Sequence, residues 1–112
     1  MQITQQEVHA DLVASGWYPS STPVAERIPE ILMRVVCELA KAAEEWRDVD
    51  QGCMPRWVYT VAGEPRGIGI EVADAVLILM GLAQECGFDL QGAIKTKMAF
   101  NRTRDWRHGR RR

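Results

Sequence analysis

Apolar residues recur at helical spacing in four stretches of the chain, and the breaks between the stretches carry the residues that start and stop helices. In residues 4–14, Val8 and Leu12 lie four apart, Thr4 offers an N-cap hydroxyl and Gly16 suits the stop. A short amphipathic helix on the outside of the fold is predicted there. Residues 27–48 carry Ile28, Leu32, Val35, Val36, Leu39 and Ala43 along one side, the first strong helix, with Pro29 tolerated in its first turn. Residues 49–66 hold two Gly, two Pro and the β-prone run Trp57-Val58-Tyr59-Thr60-Val61. They predict a long loop containing a short strand, of a length that often serves as a lid. A second strong helix is expected over 70–86, closed by Gly87, and a third over 90–104 with Asp89 as N-cap.

Residues 72–83 are apolar on nearly every side, and such a helix has to be covered all round. A chain of 112 residues with three or four helices has few elements for that task. The expectation is an all-α bundle of about four helices, completed by oligomerisation to a dimer or tetramer. One domain covers 1–112, with its core over about 27–105 and a basic tail over 106–112.

Composition changes this picture in one respect only. At 46% hydrophobic and 26% charged the chain has an ordinary globular balance, and its longest apolar run is too short for a bilayer. No membrane helix or secretion signal is expected, and a cytoplasmic location follows. Three cysteines, Cys37, Cys53 and Cys86, form neither a CxxC nor a CxxxH. They read as reduced thiols, two of them suited to core packing. The net charge of -1 hides an asymmetry: residues 102–112 contain six Arg and one Asp, so the acidic excess lies in the rest of the chain. An acidic body speaks against a protein that coats nucleic acid, whereas the tail could meet phosphates of a nucleotide or a polynucleotide.

The candidate chemistry is acidic. Glu71 and Asp74 stand three apart on one face of an apolar helix. Burying such a pair calls for a metal, a basic partner or protonation. On the preceding helix Glu38 raises the same question, followed by Glu44 and Glu45. Glu45 falls within roughly 20° of Glu38 around the axis but about 10 Å further along it. A carboxylate set of this kind favours Mg²⁺ or Mn²⁺ over zinc. Acid pairs at this spacing are also common on helices as solvated or Arg-paired groups.

Three segments, Glu38-Leu-Ala-Lys-Ala-Ala-Glu-Glu-Trp-Arg47, Glu71-Val-Ala-Asp74 and Lys97-Met-Ala-Phe-Asn101-Arg-Thr-Arg104, together resemble the MazG-like nucleotide pyrophosphohydrolases. The resemblance spans about residues 31–109 and includes the ending Arg107-His108-Gly109. It implies a MazG-like helical bundle that binds Mg²⁺ (Mn²⁺ as the alternative) through Glu38, Glu71 and Asp74. The implied reaction takes a (d)NTP and water to a (d)NMP and pyrophosphate, in nucleotide-pool housekeeping. Lys97, Asn101 and Arg104, on one helical face, would bind phosphate or sugar. The second Glu of the family's ExxE is replaced here by Lys41. Its ammonium could stand in for a cation, leaving a nucleotide-binding regulator without turnover. It could instead turn aside while Glu44 or Glu45 supplies a ligand, or contact phosphate itself.

The remaining candidates are weaker. Trp17, Trp46, Trp57 and Trp106 could stack on a base but suit packing better, and Trp46 is the one closest to the acidic set. His108 could touch phosphate, and His9 is expected at the surface. No phosphate-binding glycine loop and no nucleophilic triad is present, so covalent catalysis is not expected. Nucleic-acid binding through the Arg-rich end is the least favoured reading.

Overall fold

The computed structural model describes residues 2–18, 22–48 and 56–104; Cys53, Trp106, His108 and the basic tail lie outside them. The elements follow as α1 (Gln5–Ala14), α2 (Val24–Arg47), β1 (Tyr59–Val61), β2 (Glu64–Arg66), α3 (Ile68–Cys86) and α4 (Leu90–Arg102). The fold is mostly helical, as expected, with a two-stranded sheet in place of the single short strand expected inside the long loop. α2 begins at Val24 rather than at Arg27, which moves Pro29 into the second turn. In that position the proline removes the bond to the Ala25 carbonyl and its ring crowds the same carbonyl, a cost that the first turn would not carry.

The hairpin exists because of its turn. Val61 pairs with Glu64, and the two residues between them, Ala62 (φ 52°) and Gly63 (φ 84°), both take positive φ. Two such residues make the tight turn whose twist matches that of paired strands. The next glycine joins the hairpin to α3. Gly67 has φ 116° and ψ 166°, a conformation open essentially to glycine alone, and a Cβ there would strike the Trp57 carbonyl. The Gly69 N–H donates to that same carbonyl at 2.8 Å. The strapped hairpin thus sets the first turn of α3, where Glu71 sits. Gly67→Ala is expected to destabilise the chain by on the order of 2–3 kcal/mol in denaturant unfolding; an unchanged midpoint would count against this role.

α2 and α3 run antiparallel. Ile31 and Val35 form the core with Ala75, Ile78 and Leu82, and further along α2 the buried Glu38 meets Glu71 and Asp74 near the start of α3. α1 covers another side of α3. Val8 is buried, Leu12 abuts Gly81, and Gln5 donates to Gln84 and to the Phe88 carbonyl while accepting from the Leu90 N–H. His9, expected at the surface, is half-buried with Nε2 2.6 Å from Glu85 Oε1. Thr4 caps α1 as expected, accepting from the Glu7 N–H, and Gly87 ends α3 with φ 81°. Asp89 occupies the N-cap position of α4 without a side-chain capping bond.

The α2 core stripe differs from the expected one. Ile31, Val35, Glu38 and Ala42 are buried, whereas Leu32, Val36 and Leu39 are exposed. Each exposed residue follows a buried one, so the two stripes lie about 100° apart. α3 repeats the pattern, with Val72, Val76 and Leu79 exposed directly after Glu71, Ala75 and Ile78. In an antiparallel pair of right-handed helices, stripes displaced by one residue in the same sense point to the same side. The six side chains therefore form one two-helix apolar face. α4 buries no residue, and it diverges from α3 and the start of α1 around a cleft of ≈ 710 Å³. Cys37 and Cys86 are free and exposed, so neither is the core thiol expected. Among the described residues no helix is long and apolar enough to cross a membrane.

Candidate metal centre

The centre grows from the α2–α3 contact. Glu38 continues the buried stripe of α2, and Glu71 and Asp74 occupy the matching side of α3 one turn apart. Their carboxylate oxygens lie within 4.8 Å of one another. Glu38 is only 8% exposed, Glu71 is half-buried and Asp74 faces solvent. The set is an oxygen-only cradle open on one side, as a hard divalent cation with retained water requires.

Its electrostatics point the same way. Burial, then a hydrogen bond with Glu38 and the charge of Glu38, push the Glu71 carboxyl above its ordinary range; Asp74 adds to this and Lys41 opposes it. Burial and the charge of Glu38 push Asp74 up, again with Lys41 opposing. At Glu71 and Asp74, burial and the Glu38 charge together outweigh the one nearby ammonium. A positive charge placed among them would oppose both upward shifts.

The sign of the resulting pH dependence follows directly. A carboxyl raised in the native state holds its proton there at pH values where the unfolded chain has lost it. The stability of the ion-free protein therefore falls as pH rises from the ordinary carboxylate range through the raised values. Thermal unfolding in chelator is expected at higher temperature in mild acid than at neutral pH. Saturating Mg²⁺ or Mn²⁺ should reverse that order, and an order unaffected by the ions would refute the metal-linked origin.

Lys41 joins the cluster. Its Nζ donates to Glu38 Oε1 at 3.2 Å, and its side chain remains 59% exposed. The hydrogen bond and charge of Glu38 raise the ammonium's pKa, so it stays charged. Lys41 thus neither turns aside nor leaves the site. Glu45, the expected additional ligand, is not drawn into the cluster. It accepts from the Tyr59 hydroxyl at 2.9 Å and ties the end of α2 to the hairpin. Trp46 stacks on Trp57, with centroids 6.2 Å apart and planes at 17°, and both rings stay about half exposed. Sequence reasoning did not anticipate Tyr59 as a partner of Glu45, although its place in the β-prone run was visible.

The α4 residues stand apart within one chain. Lys97 and Arg104 flank the Phe100 ring at 5.1 Å and 5.3 Å, and Asn101 lies half-buried on the same helix. None of the charges acting on Glu71 or Asp74 belongs to α4. The protomer therefore does not bring Lys97 and Arg104 to the carboxylates as the resemblance implied.

No known family model, curated protein or solved structure matches the chain. The functional reading consequently rests on the residues and their geometry.

Proposed function

We propose that the protein is a Mg²⁺-dependent nucleoside triphosphate pyrophosphohydrolase of MazG-like type. The observation that carries this reading is the convergence of Glu38, Glu71 and Asp74 from two antiparallel helices within 4.8 Å. Mg²⁺, or Mn²⁺, would be held by these three carboxylates, and when bound it would neutralise phosphate charge and lower the pKa of a water. Water would attack the α-phosphorus, the bond to the α–β bridging oxygen would break, and pyrophosphate would leave. The chain's own part is positioning. Glu38, rigid in the core, fixes the inner wall, and the more exposed Asp74 faces the side from which substrate must approach. Such a reaction needs placement and electrostatics rather than a nucleophilic side chain. Pyrophosphate release from a panel of NTPs and dNTPs with Mg²⁺ or Mn²⁺ tests it.

A second reading is supported by the Lys41–Glu38 pair at 3.2 Å. With a built-in ammonium, the site would bind a nucleotide as a regulator without turnover. Nucleotide binding that persists in chelator would favour this reading, and a strict divalent requirement would reject it.

The reading includes a dimer. Among the described residues, α2 and α3 leave large apolar side chains exposed along one shared face, a patch of the kind that marks an interface. A second copy laid on the face of Leu32, Val36, Leu39, Val72, Val76 and Leu79 would make a four-helix core. Val36→Glu is expected to abolish dimers at micromolar concentration in light scattering. A folded wild-type monomer under the same conditions would reject the assembly.

A further inference from the structure

Besides the carboxylate cluster, the face of α2 that carries Glu38 holds a second polar feature closer to its N-terminus. Arg27, Glu30, Ile31 and Arg34 line a cleft of ≈ 340 Å³ whose opposite wall is Ser15, Gly16 and Trp17, just after α1. Its size falls within the range of small-ligand sites. Arg27 is fixed in place: one guanidinium nitrogen donates to the Trp17 carbonyl at 2.8 Å and the other to Glu30 at 3.3 Å. Arg34 lies over the Trp17 ring at 5.7 Å, and among the described residues no carboxylate pairs with it. The cleft therefore carries two guanidinia against one carboxylate.

We infer that this cleft receives the β- and γ-phosphates of a nucleoside triphosphate whose α-phosphate lies at the Glu38, Glu71 and Asp74 cluster. The inference rests on the pyrophosphohydrolase reading and adds the groups that reading lacks. Arg34 precedes Glu38 by one helical turn, about 6 Å along the axis, which is the scale of a phosphate chain. The two residues share a face of the helix. Lys97 and Arg104, the cations expected to hold phosphate, are engaged at Phe100 instead. A guanidinium fork suits phosphate oxygens better than a point charge does. A nucleobase fits the cleft less well, because the Arg34 guanidinium already covers a face of Trp17.

Isothermal titration of the full chain with inorganic tripolyphosphate in Mg²⁺ tests the assignment. Arg34→Ala should weaken binding by about tenfold or more, the scale of a lost charge-assisted bond, and Arg34→Lys should recover part of it. The Arg34 variants are the decisive ones, because Arg27 also holds the Trp17 carbonyl. Affinity unchanged in Arg34→Ala, or no tripolyphosphate binding by the wild type, overturns the inference. So does an equal loss of affinity for nucleoside monophosphates, which would place the nucleoside end in the cleft. Arg34-dependent tripolyphosphate binding without cleavage of any nucleotide would leave the cleft standing and remove the hydrolase reading. Cleavage with kcat and KM unaltered in Arg34→Ala would do the reverse.

Discussion

Glu71→Gln combined with Asp74→Asn is expected to reduce pyrophosphate release by on the order of 10³-fold, the scale on which preorganised charge stabilisation is lost. Both substitutions preserve shape, so the α2–α3 packing through Val35, Ala75 and Ile78 should survive. They remove two of the three carboxylates within ligand distance of one another, leaving Glu38 already paired with Lys41. An amide oxygen is a much weaker ligand for a hard cation than a carboxylate, so divalent binding should vanish with turnover. The stability of the ion-free chain should move in the opposite direction. Native Glu71 and Asp74 are pushed above the ordinary carboxylate range, so their ionised forms cost stability at neutral pH, and neutral amides escape that cost. A double variant with higher thermal stability in chelator, no metal response and no activity is the expected result. Turnover equal to that of the wild type would sink the hydrolase reading.

How much of this was legible beforehand depended on whether one helix could decide the matter. Glu38, Glu71 and Asp74 were expected as one site from the resemblance, whereas the α2 stripe expected from periodicity, with Leu32, Val36 and Leu39, lies about 100° away from Glu38. The choice of stripe on α2 could not be read. Ile31 and Leu32, or Val35 and Val36, are equally apolar neighbours, and periodicity does not tell which faces α3 and which a second copy. The strand β2, Glu64-Pro65-Arg66, has no β-forming residue of its own and depends on the turn at Ala62 and Gly63. The shared face of Lys97, Asn101 and Arg104 was visible, but α4 buries nothing in the protomer, so its placement is set by contacts one sequence does not encode locally. The cationic half of the α2 face carried the same periodic signal as its carboxylate half. Arg27, Arg34 and Glu38 fall seven and four residues apart, a spacing that was available all along.

Lys41→Glu is expected to raise divalent-ion affinity by roughly tenfold to 100-fold, the effect of changing a group that supports a metal site. With all groups ionised, the three carboxylates and the Lys41 ammonium together carry a charge of -2, which one divalent cation neutralises. The substitution changes the sum to -4, so a second ion becomes favourable and calorimetry should report two ions per chain in place of one. Without metal the same change is harmful. Four carboxylates would crowd the α2–α3 contact, the pair at 3.2 Å would be lost, and the melting temperature in chelator should fall below that of the wild type. Added Mg²⁺ should then raise it further than it raises the wild type. Turnover is expected to increase, because the ammonium that now sits on Glu38 Oε1 competes with a cation for the same oxygen. A drop in turnover with tighter metal binding would show instead that Lys41 contacts the substrate, and an unchanged ion affinity would show that its charge does not reach the metal position.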